Sequence, residues 1–215
     1  MKIGVFDSGI GGLSVAKAIE KALPEHEIIF VNDSEHVPYG SKMPPEILGL
    51  VIPIFQKLID SGCQVIVVAC NTVTTTLIGE LRARFDVPLV AVEPMVKPAA
   101  KLTKSKIIAV CATPTTLASK RYAELKRDYA QGVKIIEPDC SDWIQMIEHS
   151  QVEVHKIRDR IKAAVDEGAD VIVLGCTHFH WIENLIKQIA LGRAQVIQPE
   201  QALITQLRRV LLQLA

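Results

Sequence analysis

The chain has 215 residues, 49% of them apolar and 22% charged, a composition that suits a folded protein with a core and excludes disordered and collagen-like classes. Lys plus Arg and Asp plus Glu number 24 each, so no net field favours nucleic acid or an anionic membrane, and a small-molecule partner is expected. No apolar run nears the roughly 18 residues of a membrane span, and Lys2 leads directly into a strand carrying Asp7 rather than a signal-peptide core, so the expected location is cytoplasmic.

Lys2 to Phe6 reads as a strand that runs into Asp7-Ser-Gly-Ile-Gly-Gly12, and Leu13, Ala16, Ile19 and Leu23 have helical spacing. The glycines of this strand–loop–helix unit let backbone N–H groups approach a ligand at the helix N-terminus. Glu27 to Val31 is the next strand. The polar segment Asn32 to Ser41 that follows is a loop at a strand end, where sites are built. A helix from about Glu46 to Ile59 contains Pro53. Then come a strand at Val65 to Val68, a helix from about Thr74 to Phe85, and a short strand at Pro88 to Val92.

The second half repeats this programme. Lys106 to Val110 parallels Lys2 to Phe6, and a helix is predicted from about Leu117 to Tyr129. Val133 to Ile136 reads as a strand, Ser141 to His149 as a short helix, and Val154 to Glu167 as an amphipathic helix with Ile157, Ile161, Ala164 and Val165 on one face. A strand at Val171 to Leu174 and helices over Trp181 to Ile189 and Gln201 to Leu214 complete the chain.

The two halves match most closely at Val65-Ile-Val-Val-Ala-Cys-Asn-Thr72 and Val171-Ile-Val-Leu-Gly-Cys-Thr-His178. Each is an apolar run, a small residue, a cysteine and two polar residues, as expected of a buried parallel strand ending where ligands collect. A repeat at roughly 106 residues is too long for a solenoid. It predicts an α/β protein of two pseudo-symmetric parallel-sheet domains facing each other across a cleft. Residues 1–94 plus 199–215 form the first, with a returning C-terminal helix, and 95–198 the second.

Five cysteines, Cys63, Cys70, Cys111, Cys140 and Cys176, are an odd number at irregular spacing, which suits reduced thiols. A lone cysteine at a strand end is ordinarily a small buried hydrophobe. Two in repeated contexts, each followed by polar residues that open a helix, point instead to thiols that can ionise. Cys70, Cys176 and His178 are also candidate zinc ligands, but the chain has no Cys-x-x-Cys, and no metal is expected. Gly9 to Gly12 with Asp33 resembles a dinucleotide loop and its ribose contact. Ser14 stands at the third glycine position, however, and Asp7 would set a charge beside the pyrophosphate, so no cofactor is expected either. Asp7 is otherwise a cap, Tyr39-Gly40 a turn, His178 a partner for the thiol, and Thr113, Thr115 and Thr116 are caps or substrate donors.

Two thiols facing across a cleft suit removal of a proton from one face of a carbon and delivery to the other. Asn71, Thr72, Thr177 and Ser8 would hold a carboxylate, and Asp7 would meet an ammonium or orient Cys70.

Phe6-Asp-Ser-Gly-Ile-Gly-Gly-Leu-Ser-Val15, Val37-Pro-Tyr-Gly40, Ala69-Cys-Asn-Thr72, Glu93-Pro94 and Gly175-Cys-Thr-His178 together resemble the glutamate racemases, in order and across nearly the whole chain. The resemblance implies cofactor-independent conversion of L-glutamate to D-glutamate for peptidoglycan precursors and cell-wall biogenesis. Cys70 would act on the D-isomer and Cys176 on the L-isomer. It further implies that Asp7-Ser8, Tyr39-Gly40, Asn71-Thr72 and Thr177-His178 bind substrate, that Thr116 is a binding threonine, and that Glu148 assists near Cys176. A homodimer is compatible with the resemblance, though nothing in the chain selects its mode. The chain departs from the family pattern at His180, at Cys140-Ser-Asp142 and at Ile197-Gln-Pro-Glu200, which bears on substrate preference and on Glu148. Two alternatives stand beside this expectation: an isomerase acting on aspartate or another carboxylate, and a carboxylate-binding module without turnover.

Overall fold

Short runs of β-branched residues, each closed by a turn and followed by a helix, produce strands that are all parallel to their neighbours, in two four-stranded sheets. The computed structural model describes residues 1–214. They divide into two compact units, Met1–Glu93 with the segment from Glu200, and Pro94–Pro199. Ala215, the last residue of the returning segment expected from the sequence, lies outside the described residues.

In the first unit, β1 (Lys2–Asp7), β2 (Glu27–Asn32), β3 (Val65–Val68) and β4 (Leu89–Ala91) lie in the order β2-β1-β3-β4. All four side chains of the inner strand β3 are fully buried, because a parallel strand with helices on both faces has no wet side. Alternation sends Ile3, Val5, Val65 and Val67 to one face, where they meet Val15 and Ile19 of α1 (Gly12–Ala22) and Leu203 and Leu207 of α10 (Glu200–Leu214). Phe6, Ile66 and Val68 go to the other face with α2 (Pro44–Asp60) and α3 (Asn71–Arg84), where Phe55 packs edge-on to Phe6 at 5.3 Å. Each such aliphatic side chain contributes about 1.5–3 kcal/mol on burial. Pro53 sits inside α2, where its missing N–H leaves the Gly49 carbonyl without its helical donor.

The second unit repeats the order as β6-β5-β7-β8, with β5 (Ile107–Cys111), β6 (Lys134–Ile136), β7 (Val171–Leu174) and β8 (Gln195–Ile197). Its helices are α4 (Val96–Leu102), α5 (Pro114–Ala118), α6 (Lys120–Tyr129), α7 (Trp143–Glu148), α8 (Val154–Asp166) and α9 (Glu183–Ala190).

Four local features differ from the pattern the sequence suggests. The helix placed at 74–85 begins at Asn71, so Cys70 is its N-cap residue and Asn71 and Thr72 lie in its first turn. Low propensity of the threonine-rich start is overridden by burial of Asn71 to Thr75. The single helix over 117–129 is two, because Ser119 is extended and its side chain accepts the Tyr122 N–H, starting α6 afresh. Residues Thr177–Ile182, where α-helix opens in the sequence reading, form a 3-10 helix instead. Lastly, α4 and β8, at seven and three residues, are too short to show a period.

Candidate active site

The carboxyl ends of the inner strands carry the polar residues in both units, and the backbone there follows one pattern. The Ala69 N–H donates to the Phe6 carbonyl at 2.8 Å, and the Gly175 N–H donates to the Cys111 carbonyl at 2.7 Å. The next residues are Cys70 and Cys176, both buried and both N-cap residues of the helix that follows. A Cβ at Gly175 would lie 3.1 Å from both the Ala112 Cβ and the Cys111 carbonyl oxygen, so the strands pack tightly there, whereas the first unit carries Ala69 at the matching position.

Around Cys70 the first unit assembles Asp7, Ser8, Tyr39, Asn71 and Thr72, all buried. Parallel register sets the end of β1 beside the end of β3, which brings Ser8 Oγ and Cys70 Sγ into a hydrogen bond of 3.3 Å. Asp7 Oδ2 accepts the Gly12 N–H at 2.6 Å, so the carboxylate occupies the glycine loop where a pyrophosphate would have to lie. Gly12 permits that approach, because a Cβ on it would sit 2.3 Å from the Asp7 Cβ. Asp33, the ribose candidate of that reading, is engaged instead by the Tyr39 hydroxyl at 2.6 Å and by His36 Nδ1 at 2.8 Å. Burial first, then Asp33, and after these Cys70 and Asp7, hold the Tyr39 phenol far above its ordinary range, which places all three groups within electrostatic reach of Tyr39. Gly40 follows Tyr39 in a one-turn 3-10 helix, Tyr39–Ser41.

Asn71 stands out chemically. Its Nδ2 and Oδ1 are both buried, and neither has a hydrogen-bond partner among the described residues. A buried amide left this way costs about 1–3 kcal/mol per group, so the position is made for a polar ligand or water. It also lies in the first turn of the 14-residue α3, whose N–H groups favour an anion.

Around Cys176 the second unit assembles Thr177, His178 and Glu148, while Thr116 lies in α5, the short helix that follows the neighbouring strand β5. His178 Nδ1 lies 3.8 Å from Cys176 Sγ, and its Nε2 lies 2.5 Å from Glu148 Oε1. A neutral imidazole that gives its Nε2 proton to Glu148 presents Nδ1 to the thiol as an acceptor. Thr113 caps α5 by accepting the Thr116 N–H at 3.2 Å, and its hydroxyl donates to Thr116 Oγ1 at 3.0 Å, which makes Thr113 the cap and Thr116 its buried neighbour. His180, two residues beyond His178, is pushed down to about 4 by burial and then by His178, and is neutral at physiological pH.

The two strand ends are therefore alike in backbone and unlike in chemistry. Asp7 in the first occupies the place of Ala112 in the second, and the second supplies its carboxylate from α7 through an imidazole. Among the described residues no group of three or more His, Cys, Asp or Glu side chains is placed to hold a metal ion, and no helix is long and apolar enough to cross a membrane.

This duplicated parallel α/β fold is the one that solved glutamate racemases adopt. The chain matches the Asp/Glu/Hydantoin racemase family over residues 3–207 and belongs to that family. It is 37% identical over 213 residues to the glutamate racemase of Ralstonia pickettii, covering 97% of this chain and 76% of that one. Among solved structures, the Escherichia coli glutamate racemase in complex with L-glutamate and the activator UDP-MurNAc-Ala superposes with TM-score 0.84 at 29% identity, covering 96% of this chain and 80% of that one. The Francisella tularensis glutamate racemase in complex with D-glutamate superposes with TM-score 0.82 at 26% identity, covering 99% and 81%.

Proposed function

We propose that this chain racemises glutamate, without a cofactor, by proton transfer between two thiols, those of Cys70 and Cys176. The observation that carries the reading is the equivalent placement of the two buried cysteines, each at the first position after the matched strand-end hydrogen bond. The relatives and the two glutamate complexes support glutamate as the substrate.

In the direction from D to L, Cys70 as thiolate takes the Cα proton and becomes a thiol. The carbanion left behind is planar, and Cys176 gives its proton to the opposite face and becomes a thiolate. Atoms and charge balance, and the reverse reaction exchanges the roles. A positioned acid or base of this kind contributes about 10²–10⁴-fold each. Ser8 beside Cys70 can donate a hydrogen bond to the thiolate, and His178 beside Cys176 can accept the thiol proton. Asn71, Thr72 and the first turn of α3 bind a carboxylate, Thr177 and Thr116 supply further donors, Tyr39-Gly40 binds substrate on the Cys70 side, and Asp7 meets the ammonium. The product, D-glutamate, serves peptidoglycan precursor synthesis in the cytoplasm.

Proton NMR of L-glutamate and L-aspartate in D₂O, with optical activity followed by circular dichroism, tests the reading. Glutamate should lose its Cα–H signal and its optical activity together, and Cys70→Ala and Cys176→Ala should each reduce the rate by about 10²-fold or more. Exchange with aspartate alone would move the substrate assignment. A folded Cys→Ala variant with undiminished racemisation would sink the two-thiol mechanism.

A further inference from the structure

We infer that Asp33, on the loop after β2, is a positioning residue for the substrate site, acting through Tyr39. Three bonds converge on it. Its carboxylate accepts the Tyr39 hydroxyl at 2.6 Å on Oδ2 and pairs with His36 Nδ1 at 2.8 Å on Oδ1, and its own N–H donates to the Asp7 carbonyl at 3.3 Å. Asp33 thus ties the end of β1, which bears Asp7 and Ser8, to the turn that presents Tyr39 and Gly40. The Tyr39 ring is 1% exposed, so its hydroxyl cannot exchange this partner for bulk water. With its proton committed to Asp33, the phenol offers its surroundings lone pairs only, and the turn Tyr39–Ser41 is held in one place relative to Cys70. Packing in the core with Phe6 and Cys70 holds the Tyr39 ring, and the carboxylate clamp fixes its hydroxyl end and the polar loop around it.

The inference rests on the racemase reading above only in that affinity is measured with glutamate. Removing the clamp loosens the binding turn without touching either thiol, so Asp33→Ala is expected to raise KM about 10- to 100-fold while kcat stays within about threefold. Tyr39→Phe should have the same effect, and the double variant should be no worse than the more affected single, since both remove the Asp33–Tyr39 bond. Asp33→Asn retains a carbonyl oxygen for the phenol and, with the other His36 tautomer, an amide donor for the ring, so it should recover most of the affinity. Tyrosine labelled with ¹³C at Cζ gives a readout independent of turnover. The chain has three tyrosines, and the signal lost in Tyr39→Phe should shift in Asp33→Ala and stay near its place in Asp33→Asn.

An unshifted Tyr39 signal in Asp33→Ala overturns the inference, as do additive effects in the double variant or a fall in kcat at unchanged KM. Absence of glutamate turnover in the wild type would count against the substrate reading, and the NMR series would still decide the Asp33–Tyr39 coupling.

Discussion

His178 is held between Cys176 and Glu148, with Nδ1 3.8 Å from the sulfur and Nε2 2.5 Å from a carboxylate oxygen. The imidazole and carboxylate are both largely buried, so this bond sets the tautomer that faces the thiol. A hydrogen bond to a charged group is worth about 1.5–3 kcal/mol, which converts to about 10- to 100-fold in rate. Glu148→Ala should lower kcat by that factor with little change in KM, and Glu148→Gln should lose less because it keeps an acceptor. Steady-state kinetics in both directions checks this, and wild-type kcat in Glu148→Ala would remove Glu148 from the machinery.

Gly12 and Gly79 are both helical glycines with opposite expectations. Alanine at Gly79 meets nothing within 4 Å and should raise stability by about 0.5–1 kcal/mol through helix propensity and a less free unfolded chain. Alanine at Gly12 would place its Cβ 2.3 Å from the Asp7 Cβ, so Asp7 must move. Gly12→Ala should cost about 1–3 kcal/mol and most of the activity. Urea unfolding and the racemisation assay on both variants decide, and a stable, active Gly12→Ala would contradict the placement of Asp7.

His180 makes the second unit acid-sensitive. Its folded pKa, about 4, lies below the unfolded value near 6.5, so between these pH values the unfolded chain binds the extra proton and stability falls as pH drops. The loss attributable to this one group is about 2–3 kcal/mol between pH 7 and 4.5. Denaturant unfolding of wild type and His180→Gln at both pH values isolates it, with the variant expected to lose less. Equal losses would show that His180 is not held neutral.

Asp170 plays a structural part at the opposite end of the second sheet, where its carboxylate accepts the Thr103 hydroxyl at 2.5 Å, the Lys104 N–H at 2.7 Å and the Ser105 N–H at 2.8 Å. Burial raises its pKa, but these bonds outweigh burial and hold the carboxyl below the usual range. The stability it confers is therefore present above the ordinary carboxylate pKa and is lost as pH falls through the lowered one. Asp170→Ala should cost about 1–3 kcal/mol while leaving KM unchanged. A change under about 0.5 kcal/mol in urea unfolding would argue that the loop stands without it.

Much of this was open to a reader of the chain alone. Short apolar runs ending in a small residue, at Val65 to Ala69 and Val171 to Gly175, announce buried strands because the pattern is local and the chain writes it twice. The helix starts were less legible. Asn71 to Thr75 is poor helix sequence that forms helix because it is buried, and Ser119 interrupts what its apolar spacing presents as one helix. Asp33 carries a sequence signal only as a lone acid after a strand, where the one role its spacing suggests, a ribose contact, is disfavoured by Asp7 and Ser14. Its partner Tyr39 lies in an irregular loop whose course no periodicity predicts.

Sequence by itself determined the duplication, the parallel α/β class and the two cysteines at matching strand ends, because strand period, turn residues and repeat spacing are properties of neighbouring residues. Only the tertiary structure decided that the two cysteine-bearing strand ends differ in chemistry: a carboxylate folded into a glycine loop at Asp7, and an imidazole hydrogen-bonded to Glu148 at Cys176. Those relationships depend on sheet register and helix packing, which bring together residues as far apart as Ser8 and Cys70 or Glu148 and His178, and no local pattern encodes such distances.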